Sequence, residues 1–247
     1  MLYGCCRSID DSEKDNTVRK AQLIIKDLLD RFLALIAIIC LSPIMVIAAI
    51  GIKVSSKGPI IYRARRMGEG EKPFTAYKFR TMRVGADAEG AITGANDARI
   101  FKWGELLRKT KVDELPQLFN ILNGTMSIIG PRPEDIDIVE DYYTDEEKKT
   151  LSVLPGLACP GSIFNYTHGE KYLEGGPAQE LYVTKLLHVK LALDIYYLEH
   201  WNLFYDASLI IRTIYAILLN LAGKEMQKYP YEYRKVFGNR DVMAEEL

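Results

Sequence analysis

The stretch FLALIAIICLSPIMVIAAIGI, residues 32–52, contains no charged side chain. About 20 such residues in a helix reach across the hydrocarbon core of a bilayer. A cleavable signal peptide is set aside, because the run lacks a small-x-small cleavage site and is followed by Lys53 and Lys57. The stretch is therefore predicted to be a membrane segment.

Two features of this segment argue against a simple span. Ser42-Pro43 lies in its middle, where proline removes a helical hydrogen bond and is expected to cause a sharp bend. Positive charge flanks both ends, so the positive-inside rule assigns both flanks to the cytoplasm. The flanking cations are Arg19, Lys20, Lys26 and Arg31 before the run, and Lys53, Lys57, Arg63, Arg65 and Arg66 after it. We predict a re-entrant helical hairpin; a kinked but complete span remains the alternative, since the run is long enough.

Composition restricts the classes of function. The 247 residues are 48% hydrophobic and 26% charged, which is typical of a folded protein, and the net charge is −1. Because no overall positive field is available, nucleic acid is not expected as a partner. The four cysteines have neither zinc-site nor disulfide-framework spacing, so a reduced, cytoplasm-facing protein is expected.

Residues 60–83 predict a β-hairpin. The two strands, IIYRARR and PFTAYKFRTM, flank a turn at Gly68-Glu69-Gly70. Nine cationic residues lie between Lys53 and Arg83. Composition alone leaves open whether this basic hairpin binds anions and lipid headgroups or is only a solvated face.

Helical patterns follow the hairpin. Ile100, Trp103 and Leu107 recur at helical spacing and predict a helix that ends near residues 108–109. The acidic stretch from Glu134 to Glu147 is expected to be an exposed helix or loop. A long helical region is expected to run to about residue 221. Its last part, SLIIRTIYAILLNLAG, is apolar apart from one arginine and fits a helix lying in the membrane interface.

Residues 113–123, DELPQLFNILN, predict a helix with Asp113 as its N-cap. One predicted face carries Leu115, Phe119 and Leu122. Both Asp113 and Glu114 are expected to stay ionised, because the start of a helix favours negative charge. An ionised aspartate can act as a nucleophile, and an adjacent carboxylate can bind Mg²⁺. Taken alone, however, the dipeptide is more often a capped helix start.

Positive side chains near this pair favour the chemical interpretation. Arg132 lies between Pro131 and Pro133, whose fixed φ angles limit the freedom of a guanidinium that can grip phosphate. The upstream cations are Lys78, Arg80, Arg99 and Arg108. A carboxylate nucleophile among arginines, beside a membrane segment, predicts attack on a diphosphate and transfer to a lipid.

These residues also carry a family resemblance. After the apolar run with its central Ser-Pro come YKFRTM (77–82), DELPQ (113–117) and GPRP (130–133), which form a specific signature only in this combination. Residues 26–135 resemble the monotopic phosphoglycosyl transferases of the bacterial sugar transferase family. The stretch YYLEHWNLFYDASLIIRTI (196–214) is similar to that family's C-terminal helices.

The resemblance implies an enzyme on the cytoplasmic face of the bacterial inner membrane. It would transfer a phosphosugar from a UDP-sugar to a polyprenol (undecaprenyl) phosphate, release UMP and initiate synthesis of a membrane glycoconjugate. Asp113 is implied as the covalent nucleophile and Glu114 as the Mg²⁺ ligand, while Pro131 and Arg132 would contact the uridine diphosphate. The remaining implied substrate-binding residues are Lys78, Arg80, Arg99 and Arg108. The implied break in the re-entrant helix is Ser42-Pro43.

The chain departs from the family's pattern in two places. Thr125 stands where many members have an aspartate, and residues 155–171 lack the arginine of an Asn-Gly-Arg motif that meets phosphate. His168 or Lys171 is a candidate substitute, although a lone histidine in a loop is more often structural.

The expected fold class is α+β and mostly helical, with a re-entrant membrane hairpin, a small β-hairpin and interfacial amphipathic helices around a cytosolic catalytic domain. We expect a polar lead-in (1–25), the membrane helix (26–57), the catalytic domain (58–223) and a polar tail (224–247). Two other functions stay open: a membrane-docked basic scaffold without catalysis, and a single-pass transferase using direct displacement. The expected partners are a UDP-sugar, polyprenol phosphate and membrane lipid, and a homo-oligomer is left open.

Overall fold

The structure, a computed structural model, describes residues 9–86, 92, 97–173, 177–224, 226–238 and 240–242, with side chains from residue 21 onward except that of Glu170. The chain is mostly helical with two small two-stranded sheets, in agreement with the predicted class. The α-helices are α1 (Ile9–Ser55), α2 (Lys102–Lys109), α3 (Leu118–Leu122), α4 (Ile136–Tyr142), α5 (Pro160–Phe164), α6 (Ala178–Leu181), α7 (Leu187–Glu199), α8 (Leu203–Leu221) and α9 (Tyr231–Phe237). The strands are β1 (Ile61–Met67), β2 (Pro73–Phe79), β3 (Ser127–Ile129) and β4 (Gly156–Ala158).

Helix α1 runs for 47 residues and continues through Pro43. Proline has no N–H to offer the carbonyl of Ile39, four residues earlier. The hydroxyl of Ser42 donates to that carbonyl at 2.8 Å, which replaces the missing backbone bond. The helix is therefore continuous across Ser42-Pro43, and the structure does not confirm a hairpin.

One face of α1 packs along the globular part of the chain. At the start of the apolar run, Asp30 accepts a hydrogen bond from the hydroxyl of Ser127 at 2.5 Å, and Ala34 is buried beside α3. Near its end, Ala48 and Ile52 are buried against β2 and α2. The opposite face exposes large apolar side chains along the segment, so both ends of the apolar run contact the same body.

The predicted β-hairpin and the helix after it are confirmed. Strands β1 and β2 pair antiparallel, with Ile61 opposite Phe79 and Met67 opposite residue 73, and α2 ends at residue 109. Trp103 of α2 lies against Gly51 of α1, where an added Cβ would approach the indole ring to 2.2 Å. This close approach fixes the hairpin and α2 against the membrane helix.

Two predicted polar regions are instead part of the packed domain. Glu147, at one end of the stretch predicted to be exposed, is buried, and its carboxylate accepts hydrogen bonds from the backbone and hydroxyl of Thr144. The predicted polar tail contains α9, whose Tyr233 is fully buried. Aromatic side chains hold α9 in place, since Tyr233 stacks on Phe164 and on Tyr229.

Candidate active site

Asp113 and Glu114 lie in a 3₁₀ turn, Val112–Gln117, that leads into α3. The N-cap of this turn is Lys111, which has φ of 57° and makes no capping hydrogen bond with its side chain. The predicted N-cap role of Asp113 is therefore wrong, because the N-cap of the turn lies two residues earlier, at Lys111. Both carboxylates are only 8% exposed, so their charges must be balanced by neighbouring groups.

Two cations balance Glu114. Its Oε1 accepts from Arg132 Nη2 at 2.5 Å and lies 3.5 Å from Lys78 Nζ. Burial alone would raise the pKa of Glu114, but the charges of Arg132 and Lys78 outweigh burial and hold that pKa well below its ordinary value. The same ion pair raises the pKa of Arg132. Glu114 is thus ionised at neutral pH, as predicted.

Asp113 has a different environment although it is the next residue. Its Oδ1 is buried and has no hydrogen-bond partner among the described residues. Burial and the neighbouring charge of Glu114 raise the pKa of Asp113 to about 6, against the opposing effect of Lys78. The carboxylate is ionised at neutral pH and more basic than an ordinary aspartate, which favours nucleophilic attack.

The pair opens into a cavity of about 440 Å³. The cationic residues of its lining are Arg66, Lys78, Arg108, Lys109, Lys111, Arg132 and Lys190. Its carboxylates are Asp113, Glu114 and Glu134. This excess of positive charge suits a ligand that carries several negative charges, such as a diphosphate.

Arg132 enters the cavity from a tightly held loop. The loop follows β3, which pairs parallel with β4. Gly156 donates from its backbone to the carbonyl of Pro131 at 2.9 Å, and a Cβ on Gly156 would meet the backbone of Gly130 at 2.1 Å. Pro131 thus acts through its backbone and is not part of the cavity lining, whereas Arg132 and Pro133 are.

Two predicted substrate-binding arginines have structural partners instead. Arg80 donates to the carbonyl of Ser56 at 2.9 Å and to that of Pro59 at 2.6 Å, so it caps the end of α1. Arg99 is paired with Asp97 at 2.6 Å. Neither arginine lines the cavity, because Arg80 is held at the end of the membrane helix and Arg99 in the neighbouring loop. The other two predicted cations, Lys78 and Arg108, do line it.

The two candidate substitutes for the missing arginine also lie elsewhere. His168 is buried between Phe164 and Tyr229, with ring centroids 5.9 Å and 4.8 Å away, and burial lowers its pKa. Lys171 lies over the ring of Tyr172. Neither is part of the lining, which instead contains cations that sequence reasoning missed.

The missed residues have weak signals in the sequence. Lys111 directly precedes the Asp-Glu pair, and its Nζ lies 4.4 Å from the ring centre of Tyr166. Lys190 is a single cation in an otherwise apolar stretch of α7 and is only 4% exposed. The one sequence signal for Lys190 is a lysine within an apolar stretch, because lysine is almost never fully buried without a partner.

A second, apolar cavity of about 250 Å³ adjoins the charged one. The two share Glu114, Arg132 and Tyr166 among their lining residues. Its other walls are apolar side chains of α3, α5, α8 and the β3–β4 sheet; they include Leu118, Ile128, Leu157, Ile163, Ile210 and Ile214. A charged site therefore lies directly beside an apolar one.

The Asp113–Glu114 pair suits a hard divalent cation. The described residues contain no group of three or more His, Cys, Asp or Glu side chains that could hold a metal. Mg²⁺ commonly takes only one or two protein carboxylates and completes its shell with water and phosphate oxygens. The unpartnered Oδ1 of Asp113 beside Glu114 fits that mode of binding.

Comparisons with known proteins show the family to which this sequence is similar. The model of the family described as bacterial sugar transferase matches residues 21–220. The UDP-glucose:undecaprenyl-phosphate glucose-1-phosphate transferase of Xanthomonas campestris pv. campestris is 36% identical over 204 residues, which are 79% of this chain and 39% of that protein. The UDP-N-acetylgalactosamine-undecaprenyl-phosphate N-acetylgalactosaminephosphotransferase of Aeromonas hydrophila is 33% identical, with 81% and 45% covered. A glucose-1-phosphate transferase of the same description from Caulobacter vibrioides is 32% identical, with 78% and 69% covered. This chain thus spans less than half the length of the first two relatives.

Proposed function

The chain belongs to the bacterial sugar transferase family, and from this we propose that it transfers a sugar phosphate from a UDP-sugar to undecaprenyl phosphate, as a step in polysaccharide synthesis. The observation that carries the proposal is the buried Asp113–Glu114 pair, which lines a cationic cavity and of which Glu114 also lines the adjoining apolar cavity. The cationic cavity suits the diphosphate of the donor. The apolar cavity suits the hydrocarbon chain of the acceptor.

We propose two displacement steps. In the first, a carboxylate oxygen of Asp113 attacks the β-phosphorus of the UDP-sugar; an O–P bond forms, and UMP leaves with the electrons of the broken bridging P–O bond. In the second, an oxygen of the lipid phosphate attacks the same phosphorus and releases the carboxylate of Asp113. Arg132, Lys78 and Lys111 neutralise the phosphate charge in both steps.

Glu114 and Asp113 are the residues proposed to hold Mg²⁺. When bound, the ion would polarise phosphate oxygens and stabilise the charge on the departing UMP. Arg132, which pairs with Glu114 in the structure, offers a planar donor that can turn to a phosphate. If Arg132 moved from the carboxylate of Glu114 to a substrate phosphate, Glu114 would be free to bind Mg²⁺.

A panel of UDP-sugars, assayed with undecaprenyl phosphate and Mg²⁺ in detergent or lipid nanodiscs, tests the proposal. We expect UMP and a lipid-linked sugar diphosphate to appear in equal amounts with at least one donor. A basic lipid-binding scaffold would bind anionic vesicles and release no UMP from any donor, and that result would contradict the proposal.

The pH dependence of the first step follows from the two shifted groups. The nucleophile must be ionised, so the rate should rise with pH until Asp113 has lost its proton, with a midpoint near its pKa of about 6. Burial lowers the pKa of Lys78 to about 8 against the attraction of Glu114, so phosphate binding should weaken above that pH as the ammonium loses its charge.

Adduct formation without acceptor is the appropriate measurement, because the lipid phosphate itself titrates. A bell-shaped profile with limbs near pH 6 and 8 is expected for the wild type. Lys78→Arg keeps its charge and should lose only the alkaline limb. An alkaline limb that persists in Lys78→Arg would assign it to another group.

We also propose that the protein is monotopic and faces the cytoplasm. Two helices are long and apolar enough to cross a membrane by length and composition, Ala21–Ser55 and Leu203–Leu221. The contacts of α1 support a position along the membrane surface. The same domain holds the helix at Asp30 and at Ile52, so the segment between them cannot span the bilayer unless that domain lies on both sides of it. Exposed Phe204, Ile211 and Leu218 of α8 add a second apolar surface for the bilayer.

Cysteine labelling tests this topology. In a background without native cysteines, single cysteines at Ser12 and at the exposed Asp145 should both be protected from an impermeant thiol reagent in intact cells. Both should react after permeabilisation, which serves as the control for reactivity. Labelling of the Ser12 cysteine in intact cells, with the Asp145 cysteine protected, would show a true span.

A further inference from the structure

A buried polar cluster on the wall of the charged cavity has no role in the steps above. It consists of Glu134, Tyr182 and Lys190, all part of the cavity lining. Lys190 donates to Oε1 of Glu134 at 2.7 Å and is also hydrogen-bonded to the hydroxyl of Tyr182. Tyr182 donates to the same Oε1. Glu134 follows Arg132 by two residues, so the cluster adjoins the proposed diphosphate site.

The cluster has unused hydrogen-bonding capacity. Both internal bonds to Glu134 end on Oε1, and the described residues provide no partner for Oε2 although Glu134 is only 7% exposed. Lys190 uses two of its three N–H donors within the cluster. Oε2 is not among the fully buried atoms that lack a partner, so this free acceptor and the free donor of Lys190 can meet a polar ligand in the cavity.

Apolar side chains complete this part of the cavity. Ile92 and Leu173 also line it and belong with Tyr182 to the largest hydrophobic cluster of the described chain. An apolar surface beside one acceptor and one donor matches a sugar ring, whose C–H face is apolar and whose neighbouring hydroxyls each donate and accept. The hydrogen-bonding edge of uracil needs two donors around one acceptor, which the cluster does not provide.

We propose that Glu134 and Lys190 bind two hydroxyls of the donor's sugar ring and thereby select which UDP-sugar is used. Tyr182 is a positioning residue that holds the two charged groups at a fixed spacing. The proposal rests on the proposed function, since it assigns a part of the same cavity to the sugar.

Binding in an inactive background tests the assignment without turnover. In Asp113→Asn protein, we would titrate UDP, UDP-glucose, UDP-galactose and their N-acetylated counterparts by calorimetry. Glu134→Gln should weaken binding of the preferred UDP-sugar by about tenfold or more, since a site built to bind a hydroxyl discriminates strongly. Affinity for UDP should change by less than about twofold. An equal loss for UDP would overturn the proposal and assign the cluster to the nucleotide.

A second variant covers a failure to fold. Glu134→Gln leaves the buried ammonium of Lys190 unpaired, so Glu134→Gln/Lys190→Met removes both charges together. The double variant should recover the wild-type melting temperature. It should bind the different UDP-sugars with equal affinity, because both proposed hydroxyl partners are gone. If it keeps wild-type discrimination, the cluster is only structural and the proposal is wrong.

The two proposals fail in different ways. UMP release by the wild type together with sugar selection that ignores Glu134 would overturn the sugar subsite alone. UDP-sugar binding that depends on Glu134, in a protein that releases no UMP with any donor, would overturn the proposed function and support the subsite.

Discussion

Asp113→Asn is expected to abolish UMP release, with turnover falling by about 10⁵-fold or more, as it does when other enzymes lose a nucleophile. The amide is isosteric with the carboxylate but does not attack phosphorus. Intact-protein mass spectrometry after mixing with a UDP-sugar should show a phosphosugar adduct on the wild type and none on the variant.

Folding should survive this substitution for a reason visible in the structure. Asp113 caps no helix, and its raised pKa of about 6 means that the folded state disfavours its charge above that pH. The neutral amide removes this penalty, so the melting temperature at pH 7.5 should be unchanged or higher. Glu105→Gln, which neutralises an exposed carboxylate on α2, is the matched control and should retain full activity.

Two results would contradict the assignment. An adduct that persists in Asp113→Asn would place the nucleophile elsewhere. Wild-type turnover with no adduct, under conditions that trap it, would favour direct displacement by the lipid phosphate, the single-pass alternative. Both measurements use the same protein preparations, so a folding defect is detected alongside them.

Local patterns in the sequence were sufficient for the elements that frame the site. Strand alternation and a glycine-containing turn predict β1 and β2, and helical spacing predicts α2, because these patterns depend on nearby residues. The GPRP motif placed Arg132 in the cavity for the same reason. The buried face of α3 was partly wrong: Phe119 is 46% exposed and Leu118 is buried instead.

Features that depend on distant contacts could not be predicted. Glu134 and Lys190 are 56 positions apart and meet only because α7 packs beside the GPRP loop. The raised pKa of Asp113 comes from burial by surrounding elements, which no dipeptide reveals. Arg132 and Arg80 were both predicted from short motifs, and a motif does not show that Arg132 lies in the cavity whereas Arg80 lies at the end of α1.

The continuity of α1 shows how one side chain changes a topological prediction. Pro43 gives a correct expectation of a lost backbone bond, but the hydroxyl one residue earlier supplies the donor. A serine before a proline can therefore keep a helix continuous while the proline still bends it, since a side-chain bond to the preceding turn often accompanies a bend. The proposed monotopic position rests instead on where the two ends of the helix are held.

Glu114→Gln is expected to reduce turnover by about 10³-fold or more, because a neutral amide is a poor ligand for a hard cation and no longer orients Arg132. The wild type should be inactive in EDTA and recover with added Mg²⁺. The residual activity of the variant should depend less steeply on Mg²⁺ than that of the wild type. Glu114→Asp keeps the charge on a shorter side chain and should retain more activity than the amide.

Loss of Glu114 also leaves two cations without their partner, so a purely structural effect must be separated from a catalytic one. Arg132 and Lys78 both contact Oε1 of Glu114, and removal of one member of a buried ion pair is destabilising. Glu114→Gln/Lys78→Met removes one positive charge with the negative one and should regain part of the lost melting temperature. Because the carboxylate is still absent, activity should stay low. Recovery of activity in the double variant would mean that Glu114 serves only to neutralise Lys78, and full wild-type activity in EDTA would exclude the metal role altogether.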